Sequence, residues 1–259
     1  MKIKINLFQK KLYSKLTILW IFIEFIVLIN ENDRLIDVCL LKFISNVLQA
    51  CVTNVYISPL PDSPYVKPFR FNYTQNGKEK TWDLLEVHDS VAIVVFNVSR
   101  KVMIFVKQFR PAIYYNCIHP KDRESNVIDT DKYPASLGIA LEMCAGIIDK
   151  NKSVEHIAQE EVLEECGYDV PLEKLHKITS YRSGVGVQGA LQTFFYCEVT
   201  DDMKTEQGGG VDDEIIEVVE KTIPEIEEMV NSPGPISSPP SCLFALMWFL
   251  HYKADKYRK

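Results

Sequence analysis

The feature that most constrains this chain is a cluster of four glutamates between positions 160 and 165. Glu160, Glu161, Glu164 and Glu165 occupy six consecutive positions, and Gly167 follows them. Like charges at these spacings weaken an isolated helix. A fold that keeps them must therefore either solvate the carboxylates or offset their repulsion.

The residues around the cluster predict an amphipathic helix. Ser153 is a good N-cap, and Gly167 can end the helix in the left-handed conformation. Glu161, Glu164 and Glu165 are related by i, i+3 and i+4, so they share one face. The opposite, core-facing side carries the apolar residues Val154, Ile157, Ala158 and Val162.

Three carboxylates on one side of a helix suit a hard divalent cation. Mg²⁺ prefers oxygen ligands, keeps several waters and commonly bridges to substrate phosphates. A bound cation would remove the repulsion between the glutamates. For a glutamate-rich helix taken alone, the competing interpretation is a solvated acidic face.

Other segments predict an α/β or α+β sandwich. Residues 65–87 alternate around Asn76-Gly77, which is a strong hairpin signal. Loops are expected at residues 117–136 and 207–213, and a Pro/Ser linker at 231–241. Further strands are predicted at residues 90–97, 102–106, 139–143, 177–181, 191–199 and 214–220, and helices at 224–230 and 243–255.

Charge and cysteine content limit the classes of function. The net charge of −6 gives no basic footprint for nucleic acid. The seven cysteines form no CxxC pair and no set at zinc spacing, so they indicate reduced thiols and a cytoplasmic location.

The first fifty residues differ from the rest. Residues 1–15 carry five lysines and no acid, and residues 16–29 are apolar apart from Thr17 and Glu24. The run is short for a membrane helix, and Glu24 is costly there. Two hypotheses stay open: a targeting or anchoring segment that contacts a membrane through residues 1–30, and a buried or amphipathic extension or non-native start.

From Gly146 to Tyr168 the chain resembles the Nudix hydrolase family, whose box is G-x5-E-x7-R-E-U-x-E-E-x-G-U with U apolar. The segments LEMCAG, KTWDLLEVHDSV, FVKQFRPAIY and YRSGVGVQGALQTFFYCEVTD are similar to its nucleotide-sugar and ADP-ribose branch. The resemblance covers roughly residues 52–255. Two positions depart from the box: Lys152 replaces the first glutamate, and Glu160 replaces the arginine that orients the catalytic glutamates in the family.

The resemblance implies a metal site and a general base. Glu161, Glu164, Glu165 and the carbonyl of Ala145 would bind Mg²⁺, with Mn²⁺ as the alternative metal. Glu214, beside Asp212 and Asp213, would be the base, on a loop that glycines 208–210 allow to close. The competing interpretation of Glu214 is an ordinary acid at a strand edge.

The resemblance also implies a substrate site. Arg110 would contact a phosphate, unless it is only a surface ion pair, and Glu142 would lie near the sugar. Trp82 would stack on the nucleobase across a dimer interface, or else pack in the core. Gly146 belongs to the same site, and Ser183 and Gly184 would lie against the substrate.

The implied fold is a Nudix-type α/β/α sandwich with a mixed sheet and an N-terminal antiparallel hairpin. We predict an extension at residues 1–50, a β subdomain for dimerisation at 51–88 and the hydrolase domain at 89–259. The implied activity splits UDP-glucose into UMP and glucose 1-phosphate, in a homodimer. Two alternatives stay open: ADP-ribose hydrolysis, and a catalytically weak binding module, which Lys152 and Glu160 motivate.

Overall fold

The fold is seen in a computed structural model that describes residues 52–211 and 214–258. In this part of the chain, seven strands form one mixed sheet. The central strand β3 runs parallel to β8 and antiparallel to β4 and β6, while β4 also pairs with β5 and β9, and β7 pairs with β8. The strands are β3 (Ser90–Asn97), β4 (Val102–Phe109), β5 (Ile139–Glu142), β6 (Cys144–Ile147), β7 (His176–Arg182), β8 (Leu191–Val199) and β9 (Ile216–Thr222).

Helices cover both faces of this sheet. The acidic helix α3 packs on one face, and α4 and α5 pack on the other. The result is the predicted α/β/α sandwich with a mixed sheet. The helices in the described residues are α1 (Pro111–Cys117), α2 (Pro120–Arg123), α3 (Val154–Cys166), α4 (Ile223–Asn231) and α5 (Pro240–Tyr252).

Strand β3 shows why the sandwich has two cores. Val91 and Ile93 point into the core under α3, whereas Ala92 and Val94 point into the core under α4 and α5. Because successive side chains of a strand point to opposite faces, a strand covered on both sides must be apolar throughout. The nearly continuous apolar run SVAIVVF reflects this burial on both faces of the strand.

The predicted hairpin is also present. Strands β1 (Lys67–Gln75) and β2 (Lys78–Glu86) pair in register around Asn76 and Gly77. Both turn residues have positive φ, 53° and 73°, as a type I′ turn requires. Most of the hairpin side chains are exposed on both faces.

The segment predicted as a loop at residues 117–136 has more structure than expected. It contains α2 and continues from α1, which Pro111 starts. Three apolar residues of this polar segment, Ile118, Ile128 and Tyr133, form a small separate core with Tyr114 of α1. These apolar residues lie too far apart in sequence to give a local periodic signal, so only their packing reveals them.

Some predictions concern residues outside the described part. The extension at residues 1–50, with its membrane hypothesis, lies there, so the domain boundaries stay predictions. Among the residues that the structure describes, no helix is both long enough and apolar enough to cross a membrane.

Candidate active site

The acidic helix begins and ends where its sequence predicts. The Ser153 hydroxyl accepts a hydrogen bond from the backbone N–H of His156 at 3.3 Å. Gly167 has a φ of 75°, and its N–H donates to the carbonyl of Leu163 at 2.9 Å. These caps satisfy backbone groups that a helix end otherwise leaves unpaired. They fix the register of the glutamates against the sheet.

Glu165 points inward, toward strand β6. Its side chain is almost fully buried, and Oε2 accepts a hydrogen bond from the backbone N–H of Ala145 at 3.0 Å. Burial is the main cause that raises its pKa to about 8, since the charged form loses hydration. Glu165 therefore brings a carboxylate next to the main chain of Ala145.

Glu161 lies over Gly146, the next residue of β6. A Cβ atom at Gly146 would stand only 1.9 Å from Glu161 Oε1, so a side chain there would displace this carboxylate. Burial, and secondarily the charge of Glu164, raise the pKa of Glu161 to about 7. Gly146 thus leaves the space that the Glu161 carboxylate occupies.

Across the cleft, Arg110 forms a bidentate ion pair with Glu142. Arg110 Nε and Nη2 donate to the two Glu142 oxygens at 2.7 and 2.6 Å. The hydrogen bond that Arg110 donates to Glu142 is the main cause that raises the pKa of Arg110. The Glu142 side chain is 8% exposed and that of Arg110 is 45% exposed. Glu142 therefore anchors the arginine, whose remaining surface stays open to the cleft.

Glu214 reaches the same cleft from the glycine loop. Its Oε2 accepts a hydrogen bond from the backbone N–H of Val211 at 3.1 Å. The loop is tied to the end of α3, because Gly209 N donates to Glu165 O at 2.9 Å and Gly210 N to Glu164 O at 3.0 Å. Its predicted neighbours Asp212 and Asp213 lie outside the described residues. Glu214 itself precedes β9, although the strand was predicted to include it.

One cleft therefore brings together seven of the predicted site residues: Arg110, Glu142, Ala145, Gly146, Glu161, Glu165 and Glu214. Five polar residues that sequence reasoning missed also line it: Ser90, Gln108, Gln192, Ser238 and Ser241. The two serines belong to the segment predicted as a plain linker and to the start of α5. Their isolated polar side chains carry no motif that could have identified them.

Four predicted residues are not among those lining this cleft: Trp82, Glu164, Ser183 and Gly184. Glu164 is half-buried on α3. Trp82 is 53% exposed, which excludes core packing in the described chain, and its indole N–H donates to Gly186 O at 2.7 Å. The hairpin and the 183–189 loop are thus joined to each other, and Leu85 N adds a bond to Val187 O at 2.7 Å.

The donor chemistry of the cleft fits a divalent cation. Glu161 and Glu165 are carboxylates held away from water, and neither has a salt bridge to a described lysine or arginine. No three Asp, Glu, His or Cys side chains in the described part of the chain are already gathered as a metal site. Two carboxylates and one carbonyl would suffice for Mg²⁺, since this ion keeps several of its waters.

Buried carboxylates that share a cleft with an anchored arginine can hold a cation and bind a phosphate, which suits a hydrolase of phosphate anhydrides. Comparisons with known proteins agree, although no protein-family model matches the chain. The chain is 37% identical over 209 residues to the uridine diphosphate glucose pyrophosphatase of Bos taurus, covering 76% of this chain and 94% of that protein. The Mus musculus protein of the same name is 36% identical over 209 residues, again covering 76% of this chain and 94% of that protein.

Of two more distant matches, one covers a smaller share of the sequence and the other shows similarity of fold alone. The GDP-mannose pyrophosphatase of Escherichia coli strain K12 is 32% identical over 62% of this chain and 76% of its own length. A crystal structure described as an ADP compounds hydrolase superposes with a TM-score of 0.54 at 13% identity, covering 80% of this chain and 96% of that one. The chain belongs to the Nudix hydrolase family, whose members generally use a divalent metal.

The raised pKa values predict how the stability of the metal-free protein depends on pH. The folded-state pKa values of Glu161 and Glu165 are about 7 and about 8, above the ordinary value of 4.5. At pH values between 4.5 and these raised values, the two groups bind more protons in the folded protein than in the unfolded chain. The free energy of unfolding attributable to these groups should therefore fall as pH rises from ~5 to ~8. Mg²⁺ should restore it at the upper end, since it binds the folded form.

Denaturant unfolding at pH 5.5, 7 and 8.5, with and without Mg²⁺, measures this dependence. Other groups titrate too, so the comparison is with Glu165→Gln, whose stability should fall less over the same range. Equal slopes for the two proteins would contradict the assignment of the buried charge to Glu165.

Proposed function

We propose that the chain is a Mg²⁺-dependent hydrolase of nucleotide sugars that splits UDP-glucose into UMP and glucose 1-phosphate. The observation that carries the proposal is the cleft in which the Arg110–Glu142 pair faces Glu161 and Glu165. A diphosphate carries negative charge on both phosphoryl groups, so it needs positive charge from two sides. The names of the mammalian relatives support uridine and glucose as the two halves.

The residues of the cleft have different proposed roles. Arg110, held in one orientation by Glu142, binds a phosphate of the substrate. Glu161, Glu165 and the Ala145 carbonyl would hold the cation, with Glu164 as a further ligand or the holder of a bound water. When bound, the cation neutralises developing charge on the phosphates and favours formation of a nucleophilic hydroxide.

Glu214 is the proposed general base. It lines the cleft with Glu161 and Glu165, and its carboxylate is exposed and so can accept a proton from water. The water oxygen then bonds to phosphorus, and the bridging oxygen leaves with the other phosphate. Gly146 leaves room for Glu161, while Ser183, Gly184 and Trp82 form the surface proposed for the nucleoside.

A chromatographic assay of UDP-glucose, ADP-ribose and GDP-mannose tests the proposal. With Mg²⁺ we expect UMP and glucose 1-phosphate in equal amounts, UDP-glucose to be cut fastest, and no product when a chelator is added. Faster cleavage of ADP-ribose would favour that alternative substrate. If no nucleotide is cut with Mg²⁺ or Mn²⁺, the enzyme proposal fails and the binding-module hypothesis replaces it.

We also propose a homodimer formed through the hairpin. Phe69, Phe71 and Trp82 are large side chains left 46–53% exposed on a ribbon with little packing of its own. An isolated two-stranded hairpin is marginal in water, so a partner that covers it would stabilise it. No nucleic-acid partner is proposed, and the described cysteines, all free, support a reduced, cytoplasmic environment.

Light scattering after gel filtration tests the dimer. The wild-type protein should have twice the chain mass, and Phe71→Asp should lower it to a single chain by placing a charge in the interface. Thr74→Asp, close to the turn on the same strand, is the matched control and should leave the dimer intact. A monomeric wild-type protein would exclude this assembly.

A further inference from the structure

Glu160 departs from the family pattern, but it is not isolated in the structure. The ammonium group of Lys152 contacts Glu160 Oε1 in a close ion pair, and Lys150 Nζ lies 3.5 Å from Glu160 Oε2. The Glu160 side chain is 30% exposed, and Oε2 itself is covered from solvent. The pair with Lys152 is the main cause that lowers the pKa of Glu160, so the carboxylate stays charged near neutral pH.

The two departures from the pattern are therefore related in space. The family pattern has an acid at the position of Lys152 and an arginine at the position of Glu160. This chain has a base at the first and an acid at the second. The sign of the charge is reversed at both positions, and in this chain the two side chains form an ion pair.

The ion pair ties α3 to the segment that connects β6 with α3. Residues 148–153 join β6, which carries Ala145 and Gly146, to α3, which carries Glu161 and Glu165. The segment turns tightly, since Lys152 N donates to Lys150 O at 2.9 Å, and Ile148 N fixes its start by donating to Asp89 O at 2.8 Å. Glu160 directly precedes Glu161, so tying Glu160 to this segment restricts the helix turn that presents Glu161.

Lys150 adds a second effect. Its ammonium group is close enough to the helix for Glu164 to be the main cause that raises its pKa, followed by Glu160 and Glu161. The family pattern has a positive charge on the helix, at position 160. In this chain Lys150, in the connecting segment, places a positive charge near the same glutamates. It offsets part of the repulsion within the glutamate cluster.

We propose that Lys152 and Glu160 form a charge-reversed positioning pair that holds the β6–α3 connection closed and keeps Glu161 and Glu165 in place for the cation. As far as turnover is concerned, this inference rests on the proposed hydrolase function. Glu160→Arg, which restores the family residue, should impair the protein, because the new arginine meets two lysines.

A charge-reversal cycle on the full chain tests the pair. The proteins are wild type, Lys152→Glu, Glu160→Arg and the double variant Lys152→Glu/Glu160→Arg. Two substrate-free readouts are taken: the melting temperature, and the dissociation constant for Mn²⁺ followed by electron paramagnetic resonance. The third readout is kcat and KM for UDP-glucose. Glu155→Arg, on an exposed position of the same helix, makes the same change in charge and serves as the control.

We expect each single variant to lose ~10-fold or more in Mn²⁺ affinity, on the scale seen when groups that orient metal ligands are changed. The double variant should regain most of it, together with the melting temperature, and kcat should follow the same order. Glu155→Arg should lie near the wild type. Recovery in the double variant is the sign of a direct pair, because independent effects would add.

Two results would overturn the inference. One is a double variant with losses equal to the sum of the single losses. The other is recovery of the melting temperature without recovery of Mn²⁺ affinity, which would make the pair structural only. Because the Mn²⁺ readout needs no substrate, the pair can be judged even if no protein of the set cuts UDP-glucose. That last outcome would count against the proposed function alone.

Discussion

Glu165→Gln is expected to reduce UDP-glucose hydrolysis by ~100-fold or more, because several kcal/mol of charge stabilisation depend on the bound cation. The glutamine keeps the size of the side chain and can still accept the hydrogen bond that Ala145 N donates at 3.0 Å. What it loses is the negative charge. The fold should therefore survive while the metal site does not.

The same substitution should raise the melting temperature of the metal-free protein at pH 8. The buried carboxylate of Glu165, with a pKa of about 8, is unfavourable in its charged form when no cation is present. Product chromatography measures the rate of UDP-glucose hydrolysis, and thermal unfolding followed by circular dichroism measures the melting temperature. Glu155→Gln on the same helix is the control, expected to match the wild type within about twofold in kcat. Wild-type turnover in Glu165→Gln would remove Glu165 from the metal site.

Arg110→Met is expected to have the second largest effect, on stability as well as on activity. It leaves the Glu142 carboxylate, 8% exposed, without the two hydrogen bonds that satisfy it. Removing one partner of a buried pair costs about 3–5 kcal/mol, and the half-exposed arginine places this case at about 2–3 kcal/mol. Loss of the phosphate contact should lower kcat/KM by ~100-fold.

A double variant separates the two effects of Arg110. Arg110→Met/Glu142→Leu should regain most of the stability, since no buried charge is left unpaired, but it should regain no activity. The exposed hairpin pair Arg70–Asp83, also bidentate at 2.7 and 3.0 Å, supplies the control. Arg70→Met should leave the stability near that of the wild type, since an exposed ion pair contributes little. Full activity in the double variant would show that Arg110 does not contact the substrate.

Local sequence was sufficient for the elements with a local cause. The Ser153 and Gly167 caps, the Asn76-Gly77 turn and the unbroken apolar run of β3 each act within a few residues, so each could be predicted and each is present. The spacing of the Nudix box added the family, which the mammalian relatives confirm. The helix, the hairpin and the layered fold followed from these signals.

The sequence by itself determined the acidic helix, its caps, the hairpin and the family. Only the tertiary structure decided that Glu142 holds Arg110, that Lys152 and Lys150 meet Glu160, and that Ser238 and Ser241 reach the cleft. The physical reason is that caps, turns and periodicity act over a few residues of chain. Arg110 and Glu142 are 32 positions apart, and their attraction exists only after β4 and β5 have paired side by side.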